Sequence, residues 1–463
     1  MSFLICLGAL AFLMFVAYRG FSVILFAPVA ALAAVLLTDP SAVPVLYTGL
    51  FMERMVGFLK LYFPLFLLGA VFGKVIELSG FSRAIVSAII RILGAGQAIL
   101  AIVLVGAVLT YGGVSLFVVV FAVYPFGAEL FRQVGIPKRL LPATVALGAF
   151  SFTMDTLPGT PQIQNIIPTT FFHTTAYAAP ILGFVGSAFM LVLGVGYLEF
   201  RRRQALRKGE GYGAGHTNEP EANTGEVGIH PLIAILPLFV VGISNLVLGW
   251  LIPLHYGETA RALLTPGTPE ISLGVKSVAA IWSVAGALLL GILTVFLFAF
   301  RRVAGQFAIG TQAAVSGALL AGLNTASEYG FGAVIAALPG FLVIRDALSA
   351  IPNPLVNEAI SITALAGITG SASGGLSIAL AAMSEQFIAA ANAAGIPMEV
   401  LHRVASMASG GMDTLPHNGA VITLLAVCGL THRQSYGDIF AITLVKTAAV
   451  FFVIGFYYLT GLY

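Results

Sequence analysis

Charge is what this chain has least of. Only 9% of its 463 residues are Asp, Glu, Lys or Arg, against about 25% in a soluble domain, and 59% are hydrophobic. A globular surface cannot be covered with so few polar groups, so lipid is the expected outer solvent. Cysteine is nearly absent too. Cys6 and Cys428 both sit in apolar runs without a neighbour at metal-ligand spacing, and both read as small lipid- or core-facing residues. No basic patch is interleaved with aromatics, which argues against nucleic acid as a partner. Nucleophile–base sets, metal-spaced His and Asp and phosphate loops are also missing, so no enzyme, cofactor or metal is expected. The apolar run from Phe3 to Tyr18 has no basic segment ahead of it and no A-x-A-like site after it, and it reads as a retained first span.

What the chain does have is spanning length, repeatedly. The clearest apolar segments are 3–18, 21–38, 60–78, 176–199, 232–252, 276–300 and 439–461. The only long polar stretch is 201–230, opening on Arg201, Arg202 and Arg203 and lacking apolar periodicity, so it reads as a flexible linker. It divides the chain into a first membrane repeat, 1–200, and a second, 231–463.

The halves match in order. Gly112-Gly113-Val114-Ser115 answers Gly374-Gly375-Leu376-Ser377, and Gly135-Ile136-Pro137 answers Gly395-Ile396-Pro397. Met154-Asp155-Thr156-Leu157-Pro158 recurs identically from Met412 to Pro416. Three matches at near-constant offset argue for duplication. Three ordinary spans, a hairpin, a broken span and a final span per half give an odd number of net crossings, which inverts the second half. The positive-inside rule agrees. A cytoplasmic linker puts Arg19, Lys74, Arg83, Arg91, Arg132, Lys138, Arg139, Arg301, Arg302 and Arg433 on its side. With the linker's own Arg201, Arg202, Arg203, Arg207 and Lys208 these make 15 of the 22 Lys and Arg. Arg54, Lys60, Arg261, Lys276, Arg345, Arg403 and Lys446 remain. Both termini then face the periplasm.

Two places in each half resist a plain helix. Thr110-Tyr111-Gly112-Gly113-Val114-Ser115 and, opposite it, Thr369-Gly370-Ser371-Ala372-Ser373-Gly374-Gly375 offer adjacent glycines and hydroxyls that compete for the backbone. Each predicts the tip of a re-entrant hairpin; a small-residue packing face is the plainer alternative. The Met-Asp-Thr-Leu-Pro motifs predict unwound breaks, because proline removes a donor and clashes with the preceding turn. Irregular backbone at that depth is tolerated only inside protein or beside water. The fold expected is therefore an all-α polytopic membrane protein of two inverted repeats, each with a re-entrant hairpin and a broken helix.

Half-helix N-termini suit a carboxylate, and C-terminal ends suit a cation. The candidate substrate contacts are Thr110, Tyr111, Gly112, Gly113, Ser115, Thr160, Gln162, Asn165, Ser371, Ser373, Gly374, Gly375, Ser377 and Asn418. Gln164 follows the first break, and Glu328, in Asn324-Thr325-Ala326-Ser327-Glu328-Tyr329, is a lesser candidate read at a span end. Asp155, Asp413 and His417 are the candidates for ion coupling, since ionisable groups in a membrane are costly; helix capping and a structural histidine are the alternatives. A cation-coupled carrier explains duplication, breaks and buried acids together. A channel would need a continuous polar lining.

The stretches TYGGVSLFVVVFAVYP, GIPKRLLPA and LPGTPQIQNIIPT, between Leu109 and Thr169, resemble the gluconate permease (GntP-type) family. The likeness is closest to its hydroxybutyrate permease branch. It implies a scaffold domain, a mobile transport domain and a homodimer in the bacterial inner membrane. It also implies import of hydroxy or sugar acids with a proton. A His- and Pro-rich stretch that gluconate-transporting members carry near the first break is absent here, which favours a shorter acid such as 3-hydroxybutyrate. Gluconate or another sugar acid, and sodium in place of the proton, stay open.

Overall fold

The structure is a computed structural model describing residues 2–19, 21–114, 116–216, 219, 228–262, 270–343, 351–416 and 418–463. Ser115, His417, Arg345 and the centre of the polar stretch lie outside the described residues. In the first half α1 (Ser2–Tyr18) and α2 (Val23–Thr38) lead into α3 (Val43–Leu46), which a π-helical turn (Tyr47–Met52) joins to α4 (Glu53–Ser79). Then come α5 (Phe81–Leu93), α6 (Ala98–Tyr111), α7 (Leu116–Gln133), α8 (Leu141–Ala149), α9 (Phe152–Asp155), α10 (Ile163–Phe172) and α11 (Pro180–Arg207). The second half has α12 (Pro231–Tyr256), α13 (Val275–Ala304), α14 (Phe307–Ala337), α15 (Pro354–Thr369), α16 (Ala372–Ala393), α17 (Met398–Ser409), α18 (Gly419–Cys428) and α19 (His432–Thr460). The chain is an all-α polytopic membrane protein, with one addition. Strands β1 (Thr259–Ala262) and β2 (Ile271–Gly274) pair antiparallel between α12 and α13, Thr259 opposite Gly274.

Among the described residues seven helices are long and apolar enough to span a bilayer, but they are not the seven apolar segments of the sequence. Helices α1 and α2 are shorter, at 17 and 16 residues. Helices α14 and α16 join the set, although Gly, Ala and Ser dilute their mean hydropathy to 1.2 and 1.3. The polar stretch also differs from the expected free linker. Helix α11 runs on to Arg207, and Glu210 and Glu219 are pinned by ion pairs to Arg139 and Lys138, with Arg132 closing on Glu219 as well.

The final helices run antiparallel. Near the end of α11, Tyr197 and Arg201 bind Asp438, which lies in the opening turns of α19. The first hairpin, α6–α7, has its feet on this same side, where Lys138 and Arg132 meet Glu219. The second hairpin, α15–α16, has its foot at the far end of α19, where the Tyr458 hydroxyl donates to Asn353 at 3.1 Å. The hairpins therefore enter from opposite sides, as an inverted pair must. Within each half the first hairpin arm packs on the first arm of the broken helix, α6 on α8 and α15 on α17. The second arms cross over, α7 to α18 and α16 to α10. Helices α1, α2, α4, α12, α13 and α14 form the surrounding layer, with α4 against both α13 and α14.

Candidate functional site

Each hairpin tip is held by an amide side chain from the break of its own half. In the first, α6 stops at Tyr111 and the chain turns through Gly112 and Gly113, whose φ of 92° an L side chain rarely adopts. The break, residues 156–162, is unwound because Pro158 and Pro161 supply no N–H to a helical ladder. Gln162, at its end, donates to the carbonyl of Thr110 at 2.8 Å. The Tyr111 hydroxyl donates to the carbonyl of Pro158 at 2.9 Å. Thr160 donates back from the break to the carbonyl of Thr153 in α9. In the second half α15 ends on Gly370 at φ 64°, and Ser371 caps α16 by accepting from the Gly374 N–H. Asn418 donates to the carbonyl of Gly370 at 2.7 Å and caps α18 by accepting from the Val421 N–H. The Ser373 hydroxyl meets that of Thr325 at 3.2 Å. The hydroxyls of Thr110 and Ser377 are buried and have no hydrogen-bond partner among the described residues.

Between the breaks lies a cluster of buried ions. Asp155 is fully buried at the end of α9; one oxygen accepts from Thr156 at 2.5 Å and the other, Oδ2, has no hydrogen-bond partner among the described residues. Its main-chain carbonyl accepts from Ser406. Asp413, in the second break, accepts from Lys446 of α19 at 2.7 Å, and the same ammonium donates to the carbonyl of Phe150 at 2.6 Å. On α17, Arg403 is fully buried and donates to Asn165 at 3.0 Å and to the carbonyl of Ala178 at 2.7 Å. His402 meets Asn165 and Thr174 at 3.2 and 2.6 Å. Placing these charges inside a membrane protein demands such pairing, because an isolated buried ion costs several kcal/mol.

Two more acids are buried. Glu328 on α14 lies against Gly374, where a Cβ would overlap its carboxylate, and its Oε2 has no partner. Neither carboxylate oxygen of Glu358 on α15 has one. A cavity of about 250 Å³ lies at the foot of the second hairpin, lined by Ile351, Pro354 and Phe387 among others, away from the tips.

Most of the candidates of each half come together, with three corrections. Gly374, Gly375 and Ser377 are inside α16, not at the tip; the turn is Gly370-Ser371. Gly375 is a contact glycine, since a Cβ on it would overlap the backbone of Ala366 in α15. Asn165 makes all four hydrogen bonds its amide can make, to Thr160, Ala176, His402 and Arg403, which leaves it nothing for a ligand. Ser115 and His417 fall outside the described residues. Lys446, Arg403, His402 and Glu358 were missed as site residues. The signal for Lys446 was present: a lysine within the apolar segment 439–461 has to find an acid.

No family model matches the chain. Its fold resembles that of the YdaH transporter of Alcanivorax borkumensis, whose crystal structure has an unusual topology. The TM-score is 0.53 at 15% identity, covering 91% of this chain and 90% of that one. In sequence it is 58% identical, over the whole of both chains, to the uncharacterized transporter YxjC of Bacillus subtilis (strain 168). With that identity along its full length, the chain belongs to the family of YxjC, and it is a multi-pass membrane transporter, not an enzyme.

Proposed function

We propose that this transporter imports small hydroxy-acid anions, of which 3-hydroxybutyrate is the type, together with a proton across the bacterial inner membrane. The observation that carries the reading is the pairing of each hairpin tip with its break, Gln162 on Thr110 and Asn418 on Gly370, in two halves of opposite direction. Such paired breaks present half-helix N-termini to one region from both sides, and they bind a carboxylate without a fixed cation. The unpartnered hydroxyls of Thr110 and Ser377 suit the substrate's hydroxyl. Asp155, with an open oxygen, and Asp413 and His417 are the proton-handling groups of this reading. The surrounding layer serves as scaffold and the hairpins with the broken helices as the mobile part, working as a homodimer by an elevator movement. The resemblance to hydroxybutyrate permeases supports the choice of acid, and the basic residues on the linker side support a cytoplasmic linker.

Uptake into proteoliposomes decides it. An imposed inward proton gradient should concentrate labelled 3-hydroxybutyrate inside, and excess gluconate should compete weakly. No accumulation of any hydroxy acid under a proton gradient overturns the reading. Accumulation under sodium alone makes it a sodium-coupled carrier, and equilibration without accumulation makes it a channel.

A further inference from the structure

We propose that the ammonium group of Lys446 is a built-in cation, filling a site that an alkali ion would otherwise occupy, so that the carrier has no use for sodium. Lys446 projects from the middle of α19 and is 1% exposed. Its Nζ touches two oxygens, Asp413 Oδ1 at 2.7 Å and the carbonyl of Phe150 at 2.6 Å. Phe150 directly follows α8, so that carbonyl belongs to the negative end of a half-helix. A third oxygen stands near. Asp155 Oδ2 and Lys446 Cε both flank Gly410, where a Cβ would overlap the first and come within 3.4 Å of the second. Oδ2 is buried and, among the described residues, without a hydrogen-bond partner. Two carboxylates and a helix-end carbonyl are the ligands a hard monovalent cation takes from broken helices.

The two repeats make the same point. Each supplies one aspartate, from identical motifs, yet only one final helix brings a cation. Helix α11 carries no charged residue before Glu199, whereas α19 carries Lys446. One lysine bonds Asp413 and lies beside Asp155. Among the described residues, the other charged or titratable groups around the cluster are engaged elsewhere. Arg403 is held by carbonyls and Asn165, with only a 3.5 Å contact to the main-chain carbonyl of Asp155. Tyr436 donates to the carbonyl of Thr414, and His402 is held by Thr174 and Asn165. The inference rests on reading the two aspartates as the ion-coupling region, and it needs no substrate to be tested.

The test is thermal unfolding of the purified full-length protein in matched sodium, potassium and choline chloride. The parent should unfold at one temperature in all three. Lys446→Ala and Lys446→Ser should unfold lower in choline and show a saturable upward shift of a few degrees with sodium, together with binding of radioactive sodium. Adding Asp155→Asn to Lys446→Ala should abolish the shift. A sodium-selective shift in the parent overturns the proposal. So does a lack of sodium response in both variants, or their failure to be recovered folded in any of the salts. Failure of the uptake assay to find a hydroxy acid would leave these outcomes untouched, so the two readings fail separately.

Discussion

At Gly410 the main chain passes against Asp155 with no room for a side chain. The residue is not in the left-handed region (φ −84°), so its importance comes from contact and not from conformation. Gly410→Ala has to move a buried carboxylate that is packed near Lys446, and overpacking of this kind costs about 1–3 kcal/mol. Gly437→Ala is the matched comparison. Gly437 lies exposed within α19 with nothing within 4 Å of its would-be Cβ. That change should be neutral or stabilise by up to about 1 kcal/mol through helix propensity. Unfolding temperatures of the two variants should therefore move in opposite directions, or the first alone should fall; an unchanged Gly410→Ala protein would show that Asp155 is free to turn away. The motif aspartates were legible because a carboxylate beside a proline in an apolar run is rare. What they pair with was not, because Lys446 is 33 residues beyond Asp413 and Arg403 finds its carbonyls some 225 residues back along the chain. Sequence counting left both among the seven basic residues not assigned to the linker side; they are buried ions.

Hairpins and breaks were legible as elements because glycine and proline act locally, on their own turn. Their register was not. The Gly-Gly pairs of the two halves match in sequence, yet one pair is a tip and the other lies in the first turns of α16, packed on α15 and Glu328. A shared dipeptide records common origin, while the turn falls where the backbone conformation and the capping side chain put it, here Gly370 and Ser371. The polar stretch after α11 has the composition of a linker, but two of its described acids, Glu210 and Glu219, find partners at the foot of the first hairpin. Arg139 holds Glu210 below the usual carboxylate range. Burial alone would raise Glu219, and the hydrogen bonds from Lys138 and Arg132 outweigh it, so it too is lowered. Carboxyls lowered in the folded state stabilise the clamp fully above their unfolded value, 4.5, and that contribution is lost as pH falls through the lower folded values. Both acids are partly exposed, so the effect is modest. A spin label at residue 214 should be restrained at neutral pH and gain mobility on acidification below about pH 4.5. Glu210→Gln should loosen it at neutral pH already. Mobility that instead rose with increasing pH would mean the clamp is not ionic.

At the scale of the molecule, inversion follows from where three contacts fall along two long helices. Helix α19 has 29 residues, about 43 Å at 1.5 Å per residue, more than the roughly 30 Å of a hydrocarbon core. Its beginning is tied to α11 through Asp438 and to the first hairpin's foot through Ser435 and Arg139. Its end is tied to the second hairpin's foot through Tyr458. The polar stretch and residue 463 therefore lie at opposite ends of one spanning helix. The charges fall the same way, since Arg132, Lys138, Arg139 and Arg201 cluster at the polar stretch, whereas the end of α19 has no basic residue in its last turn. The positive-inside rule predicts that the clustered side faces the cytoplasm. Cysteines introduced at 215 and 463, in a background with the buried Cys6 and Cys428 replaced, should be labelled by an impermeant thiol reagent from opposite sides. In intact cells position 463 should react, and position 215 only after the membrane is opened. Reaction of both from one side would break the inverted arrangement. Reaction of 215 alone in intact cells would keep the arrangement and reverse its orientation.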